Sequence, residues 1–436
     1  TSSSASARGP SSLRARRSDP TQPGLSVPPR TIVSMTSSPH SSPLLNDEVA
    51  GSRRAEQWAA TMTGHDAGPV RRAHRDSTDS LRVCDLADTY LHDRAEREAR
   101  QHEHLAAGAT RAEGAGTRAA PELPDPFRTC FERDRDRILH GATAFRRLAG
   151  KTQVFIFPED HQRTRLTHAL EVAQVATAIA RAARLNVALT EAIALGHDCG
   201  HGPGGHASED AFSPYLDEGY DHAVWGADVV LAPLNLCVET LDGIRNHSWS
   251  RPAPTTPEGE VVSWADRIAY VCHDFEDAVH AGIVTAELLP TMVRERCGDT
   301  RSRQLDAFIR GMLTAIASTG TVGMVEHLAE ALAEFRRFNY DHIYMRPASV
   351  GQSESVIRVL RALVDYYADR PNTLPFDTVD ASGPRRSPNV SAGTAEAVRE
   401  SVAYVAGMTD RYAFSMAVTH LGWDRSALPQ GVDLRF

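Results

Sequence analysis

From Phe127 onward, apolar positions recur at helical spacing with few interruptions. Phe131, Ile138, Phe145 and Leu148 follow that spacing until Gly150 breaks it. A short apolar run, Val154-Phe-Ile-Phe157, is closed by Pro158 and reads as a small strand or extended segment. The spacing then predicts a helix over 164–184, where His168, Val172, Val175 and Ile179 share one apolar face. A second helix is predicted over 189–197, with Leu189, Ile193 and His197 each one turn apart. Residues 222–242, 260–281, 285–319, 321–338, 351–369 and 393–407 continue the helical pattern, and residues 251–259 and 371–391 read as loops. No internal repeat is visible. The expected fold class is all-α with little strand.

The first part of the chain differs. Residues 1–80 are rich in Ser, Pro and Arg and poor in large apolar side chains. Such a stretch buries too little surface to offset its ordering entropy and reads as a disordered tail. Its Arg/Ser-rich, acid-poor composition also resembles a transit peptide, but a flexible tail is the simpler reading. Residues 81–126 read as one polar helix (81–107) followed by a Gly/Ala/Pro-rich linker, and 127–436 as the folded domain. The chain has 436 residues, 41% hydrophobic and 24% charged, as expected of a globular protein. A net charge of −9 gives no global basic field to attract nucleic acid. The arginines of the tail (Arg8, Arg14, Arg16, Arg17, Arg30) leave only weak nucleic-acid contact open, and such runs are usually just solvated. Six scattered cysteines with no CxxC read as the reduced thiols of a cytoplasmic protein. No apolar run is long enough for a membrane span.

Candidate chemistry lies in His168, the pair His197–Asp198, and Asp266. His-Asp also occurs at 65–66, 92–93 and 273–274, so the dipeptide alone carries little weight. What singles out this copy is an inward-facing histidine on the preceding helix, a Gly-rich turn just after it (Cys199 to His206), and an inward Asp on a later helix. Asp266 shares a helix face with Val262, Tyr270 and Asp274. A carboxylate among apolar neighbours costs several kcal/mol unless it is paired or binds a metal. Taken singly, His168 reads as a core histidine and Asp266 as half of an ion pair. Taken together, imidazole nitrogens and carboxylate oxygens suit a divalent ion such as Mn²⁺, Mg²⁺, Co²⁺ or Fe²⁺.

Four segments carry a family resemblance: Phe145-Arg-Arg-Leu-Ala-Gly-Lys-Thr-Gln-Val-Phe155, Arg163-Thr-Arg-Leu-Thr-His-Ala-Leu-Glu-Val-Ala-Gln174, Ala265-Asp-Arg-Ile-Ala-Tyr270 with His273-Asp-Phe-Glu-Asp277, and Gly407-Met-Thr-Asp-Arg-Tyr412. With them the chain resembles the bacterial HD-domain deoxynucleoside triphosphate triphosphohydrolases, the dGTPase-like family, from about Phe127 to Gly422. The resemblance implies the helical HD phosphohydrolase fold, with an HD core near 163–282 and additional C-terminal helices near 283–436. It implies metal-dependent hydrolysis of a dNTP to a deoxynucleoside and tripolyphosphate. The family's metal ligands fall on His168, His197, Asp198 and Asp266. Its catalytic histidine falls on His206, with Glu209 as carboxylate partner three residues on. Arg165 and Arg267 match phosphate-contacting positions. Gln153, Tyr270 and Asp274 match positions that hold the deoxyribose, and His222 matches a further active-site histidine.

The resemblance further implies a dNTP substrate, a homo-oligomer, and in some members a nucleotide effector at a second site. One departure concerns the turn after the second ligand. The family's Gly-His-Pro-Pro-Phe-Gly-His is here Gly200-His-Gly-Pro-Gly-Gly-His206, with Gly204 in place of the aromatic, which predicts a more open pocket wall. Two alternatives stay open at this point. One is another HD phosphohydrolase acting on a nucleoside monophosphate, cyclic nucleotide or alarmone; the other is an inert nucleotide-binding regulator.

Overall fold

The computed structural model of the chain describes residues 53–76, 91–154, 162–375 and 390–429. They fall into two compact units, divided after Thr89. In the first, helix α1 (Arg53–Thr61) precedes a two-stranded antiparallel hairpin, β1 (His65–Ala67) and β2 (Val70–Arg72), turned at Gly68 with φ +79°. These short elements lie inside the stretch whose composition reads as a tail. The apolar segment 154–157 extends beyond the described residues, as does the start of the polar helix expected over 81–107.

The second unit is helical. Its first helix, α2 (Arg94–His104), is capped by Asp93 in a reciprocal box with Glu96. Residues 108–126 have no regular helix, yet they are packed: Ala109 and Ala112 are buried, and the Thr110 amide and hydroxyl both donate to Glu258. There follow α3 (Cys130–Asp136), α4 (Thr143–Arg147), α5 (Arg165–Ala182), α6 (Val187–Gly196), α7 (Ala207–Phe212), α8 (His222–Trp225), α9 (Val238–Arg245), α10 (Pro257–His280), α11 (Thr291–Cys297), α12 (Arg301–Thr319), α13 (Glu326–Asn339), α14 (Pro347–Asp369), α15 (Ala395–Ala406) and α16 (Asp410–Leu421).

Three helices frame the site. Thr164 caps α5, Asn186 caps α6, and Thr256 caps α10 with Pro257 pre-set at its first position. They pack on one another through Val172, Val175, Ile179, Leu189, Ile193, Val261 and Val262, all fully buried. Each such side chain contributes roughly 1.5–3 kcal/mol of burial. A second cluster joins α7 to α14, α15 and α16 through Phe212, Val356, Leu360, Val402 and Phe414. The turn between α6 and α7 is therefore held between two cores.

Several boundaries depart from the periodicity. The stretch 222–242 is not one helix. Pro233 and Asn235, with φ +52°, break it between a π-turn (Gly226–Val230) and α9. Gly298, at φ +92°, separates α11 from α12 within 285–319. Helix α10 starts inside the expected loop because Pro257 opens it. Helix α16 has no counterpart among the expected helices. Among the described residues no helix is long and apolar enough to cross a membrane.

Candidate metal centre and nucleotide cavity

His168 projects from the first turn of α5, His197 and Asp198 end α6, and Asp266 sits mid-way along α10. Packing of the three helices brings the four together. His168 Nε2 lies 3.0 Å from Asp266 Oδ1, and His197 Nε2 lies 3.5 Å from Asp198 Oδ1 and 3.7 Å from Asp266 Oδ1. His168 Nε2 is 3.9 Å from Asp198 Oδ2. His197 decides what belongs between them. Its Nδ1 is 2.7 Å from the Ala194 carbonyl, which can only accept, so Nδ1 carries the proton and Nε2 a lone pair. That lone pair is fully buried, has no hydrogen-bond partner among the described residues, and faces two carboxylates. Burial opposes ionisation of Asp198 and Asp266, but Arg165 holds Asp198, and the hydrogen-bonded His168 holds Asp266, below the ordinary carboxylate range. A lone pair aimed at two anions is repulsive unless a cation sits between them. The donor set, the spacing and the orphaned nitrogen all fit a divalent metal.

The centre opens into a cavity of about 880 Å³, in the range of small-molecule and cofactor sites. His206 stands at its mouth, largely exposed, with Nδ1 3.2 Å from Glu209 Oε2. Glu209 is shared: its Oε1 lies 2.6 Å from His222 Nδ1 and also accepts the His222 amide at 2.9 Å. Burial works against the Glu209 charge, but its two histidines pull it far below the ordinary range. An ionised carboxylate only accepts, so both Nδ1 atoms are donors. His222 Nε2 in turn lies 3.2 Å from His247 Nε2. His247 Nδ1 donates to the Ile244 carbonyl at 2.8 Å, so His247 Nε2 is the acceptor and His222 carries both protons. Burial acts against that charge and Glu209 outweighs it, so the His222 pKa rises; burial and the neighbouring histidines push His247 down to about 3.

Two histidines in this array were not singled out by the sequence. His201 is buried, stacked on His222 with ring centroids 3.7 Å apart, and has no hydrogen-bond partner at either nitrogen among the described residues. Its Nε2 is 3.3 Å from Asp198 Oδ1. His247 packs edge-on against His197 at 5.0 Å. The signal for His201 was its place in the Gly-rich turn; His247 lies in a loop with no periodicity to mark it.

The expected phosphate and sugar contacts also line the cavity. Arg165 is buried, with Nη1 2.8 Å from Asp198 Oδ2, so its nearest anion is a candidate ligand. Arg267 lies 3.9 Å over the Trp249 ring and donates to the Tyr270 hydroxyl at 3.2 Å. Arg336, from α13, donates to the same hydroxyl at 2.8 Å. Among the described residues neither arginine has a carboxylate partner. A π-turn at Tyr340–Tyr344 aims the Tyr344 hydroxyl at Asp274 Oδ2, 2.6 Å away. Among the described residues, Asp274 Oδ1 and Gln153 Oε1 are buried without a partner. Burial raises the Asp274 carboxyl to about 7.

Comparison with known proteins bears on this geometry. Residues 165–271, which hold all four candidate ligands, match the HD domain, and 322–418 match the phosphohydrolase-associated domain. Relatives named deoxyguanosinetriphosphate triphosphohydrolase-like protein include one from Caldanaerobacter subterraneus, 41% identical over 68% of this chain and 86% of its own length. Others come from Desulfatibacillum aliphaticivorans (37%, covering 68% and 89%) and Syntrophus aciditrophicus (36%, covering 73% and 94%). The chain belongs to this dGTPase-like family of HD phosphohydrolases. Within that family its Gly204 departure takes a concrete form. Gly204 has φ +71°, and a Cβ there would lie 2.5 Å from Val356 Cγ1. Val356 of α14 fills the space that a side chain at this turn would need, so α14 forms this part of the cavity wall.

Proposed function

We propose that this HD phosphohydrolase cleaves deoxynucleoside triphosphates to the deoxynucleoside and tripolyphosphate. The observation that supports the proposal is one cavity holding three things: the His/Asp cluster, two arginines that have no acidic partner among the described residues, and a buried carboxylate with one oxygen unpartnered among those residues. His168, His197, Asp198 and Asp266 would hold a divalent ion, whose chemistry would be positive charge beside a phosphoryl oxygen and a more acidic water. Arg267 and Arg336 grip the phosphate tail, each with donors left over after the Tyr270 hydroxyl. Asp274, steadied by Tyr344, accepts a sugar hydroxyl, and Tyr270 and Gln153 close on the same sugar. Water oxygen adds to the α-phosphorus and the bond to O5′ breaks; His206 delivers a proton from Nε2 to O5′ while Glu209 holds its Nδ1 proton, and the proton that the water sheds passes to solvent, from which His206 Nε2 is recharged.

The test is product analysis with all four dNTPs and the matching NTPs, across Mn²⁺, Mg²⁺, Co²⁺ and Fe²⁺. The expected result is one tripolyphosphate per deoxynucleoside and little turnover of ribonucleotides. Release of orthophosphate or pyrophosphate, or turnover only of monophosphates or cyclic nucleotides, would assign the cavity to another phosphohydrolase chemistry.

A further inference from the structure

The segment Gly407-Met-Thr-Asp-Arg-Tyr412 lies outside the ligand cluster and has no part in the chemistry above. Its Asp410 opens α16, but that helix is already capped by the Thr409 hydroxyl, which accepts the Tyr412 amide at 3.3 Å. The Asp410 carboxylate is spent elsewhere. It is 6% exposed, and each oxygen accepts a backbone amide from a different part of the chain: Gly204 at 2.8 Å on Oδ1 and Thr152 at 2.8 Å on Oδ2. Gly204 stands two residues before His206. Thr152 immediately precedes Gln153, whose Oε1 is one of the buried cavity oxygens without a partner among the described residues.

The surroundings reinforce the same junction. The buried Lys151 ammonium donates to the His201 carbonyl on one side and to the Ala406 carbonyl, at 3.0 Å, on the other. Arg147 Nη1 donates to the Gly407 carbonyl at 3.0 Å. A Cβ at Gly150 would stand 2.7 Å from Thr409 Cγ2, so the absence of a side chain at Gly150 lets the Thr409 side chain pack directly on that backbone. Val356 of α14 closes on Gly204 from another side.

From these contacts we infer that Asp410 is a positioning residue: it fixes the turn carrying His206 and the strand-like segment carrying Gln153 to each other, so that the C-terminal helices set the pose of the proton donor. Backbone amides offer no alternative conformer, whereas a side-chain tie would. One carboxylate bridging two amides therefore holds both segments in register. The inference rests on the proposed reaction for its effect on rate, but not for the tie itself.

The experiment uses the full chain with Asp410→Asn and Asp410→Ala. Amide hydrogen exchange is followed in the peptides covering 150–154 and 202–206 without nucleotide. Bound metal, kcat and KM for a dNTP are then measured. Expected for Asp410→Asn, whose amide group faces one of the two N–H donors, is faster exchange in those two peptides and unchanged exchange in α5 and α10. Metal content should be unchanged, kcat about 10–100-fold lower and KM within about threefold, the scale of loss for a misplaced catalytic group. Asp410→Ala should be worse than Asp410→Asn in both exchange and kcat; if it fails to fold, the Asn variant decides. A lower melting temperature with unchanged kcat per bound metal, or unchanged exchange at both peptides, would overturn the inference. If the wild-type chain releases no tripolyphosphate, the proposed reaction fails, and the exchange result still decides the tie.

Discussion

Replacing Asp274 by asparagine should make the protein more stable and a poorer enzyme at once. Asp274 is buried on the inner face of α10, and desolvation raises its carboxyl from 3.8 to about 7. The folded chain binds that proton more tightly than the unfolded chain. Stability linked to Asp274 is therefore fully present below about pH 4 and is lost as pH climbs toward 7. Three pK units correspond to roughly 4 kcal/mol as a ceiling, reached once the group is ionised. Asparagine cannot ionise, and its carbonyl can still accept the Tyr344 hydroxyl that now lies 2.6 Å from Oδ2. At pH 8 the variant should melt a few degrees higher than wild type, and at pH 4 the difference should vanish. Function should move the other way. If the open Oδ1 accepts a substrate hydroxyl, the ionised form binds better, so KM for a dNTP should fall about tenfold between pH 6 and pH 8 in wild type. Asp274→Asn should flatten that profile and lower kcat/KM about 10–100-fold at pH 8, the cost of one hydrogen bond to a charged group. The assay is a pair of pH series, one of melting curves and one of steady-state kinetics. A variant no more stable at pH 8 than wild type would refute the burial argument. A flat wild-type KM, or an unaltered kcat/KM in the variant, would refute the role in binding.

Asp266→Ala should lose bound metal, measured by elemental analysis after desalting, together with activity; a variant that keeps a full metal complement would remove Asp266 from the centre. Chelation should abolish hydrolysis, and one of the four divalent ions should restore it. His206→Ala and Glu209→Gln should each lower kcat about 10²–10⁴-fold with KM little changed, and intact dNTP hydrolysis in His206→Ala would withdraw its catalytic role. Arg267→Ala and Arg336→Ala should raise KM for the triphosphate and weaken inhibition by tripolyphosphate; equal inhibition constants in variant and wild type would place the phosphate tail elsewhere.

Much of the helical frame was legible because its faces are decided by burial with a 3.6-residue period. His168, Val172, Val175 and Ile179 fall on one face of α5, and all four are buried in the fold. The elements that escaped are those in which turn chemistry overrides periodicity. Pro233 and Asn235 interrupt an apolar stretch that reads as continuous, and the π-turn at Tyr340–Tyr344 shifts Tyr344 off the face a regular helix would give it. Helix α16 is short and partly polar, so its pattern is faint beside that of α14.

The same contrast explains the cavity. His168, His197 and Asp266 face inward on helices, so spacing alone brought them under suspicion. His201, His206, His222 and His247 stand in turns or at the ends of very short helices, where no period applies. What places them is a chain of obligations among donors and acceptors. The Ile244 carbonyl fixes the tautomer of His247, His247 fixes a proton on His222, and Glu209 fixes one proton on each of His222 and His206. Only His206 with Glu209 and Ile244 with His247 join residues three apart, and of these His206 with Glu209 is the one pair that the sequence offered. Arg336 illustrates the remainder. It sits on a helix of the C-terminal part, far in sequence from every candidate ligand, and reaches the cavity only because α13 packs on α10. A residue whose role depends on which helix lies beside it, and not on its own helix face, leaves no mark in a single sequence.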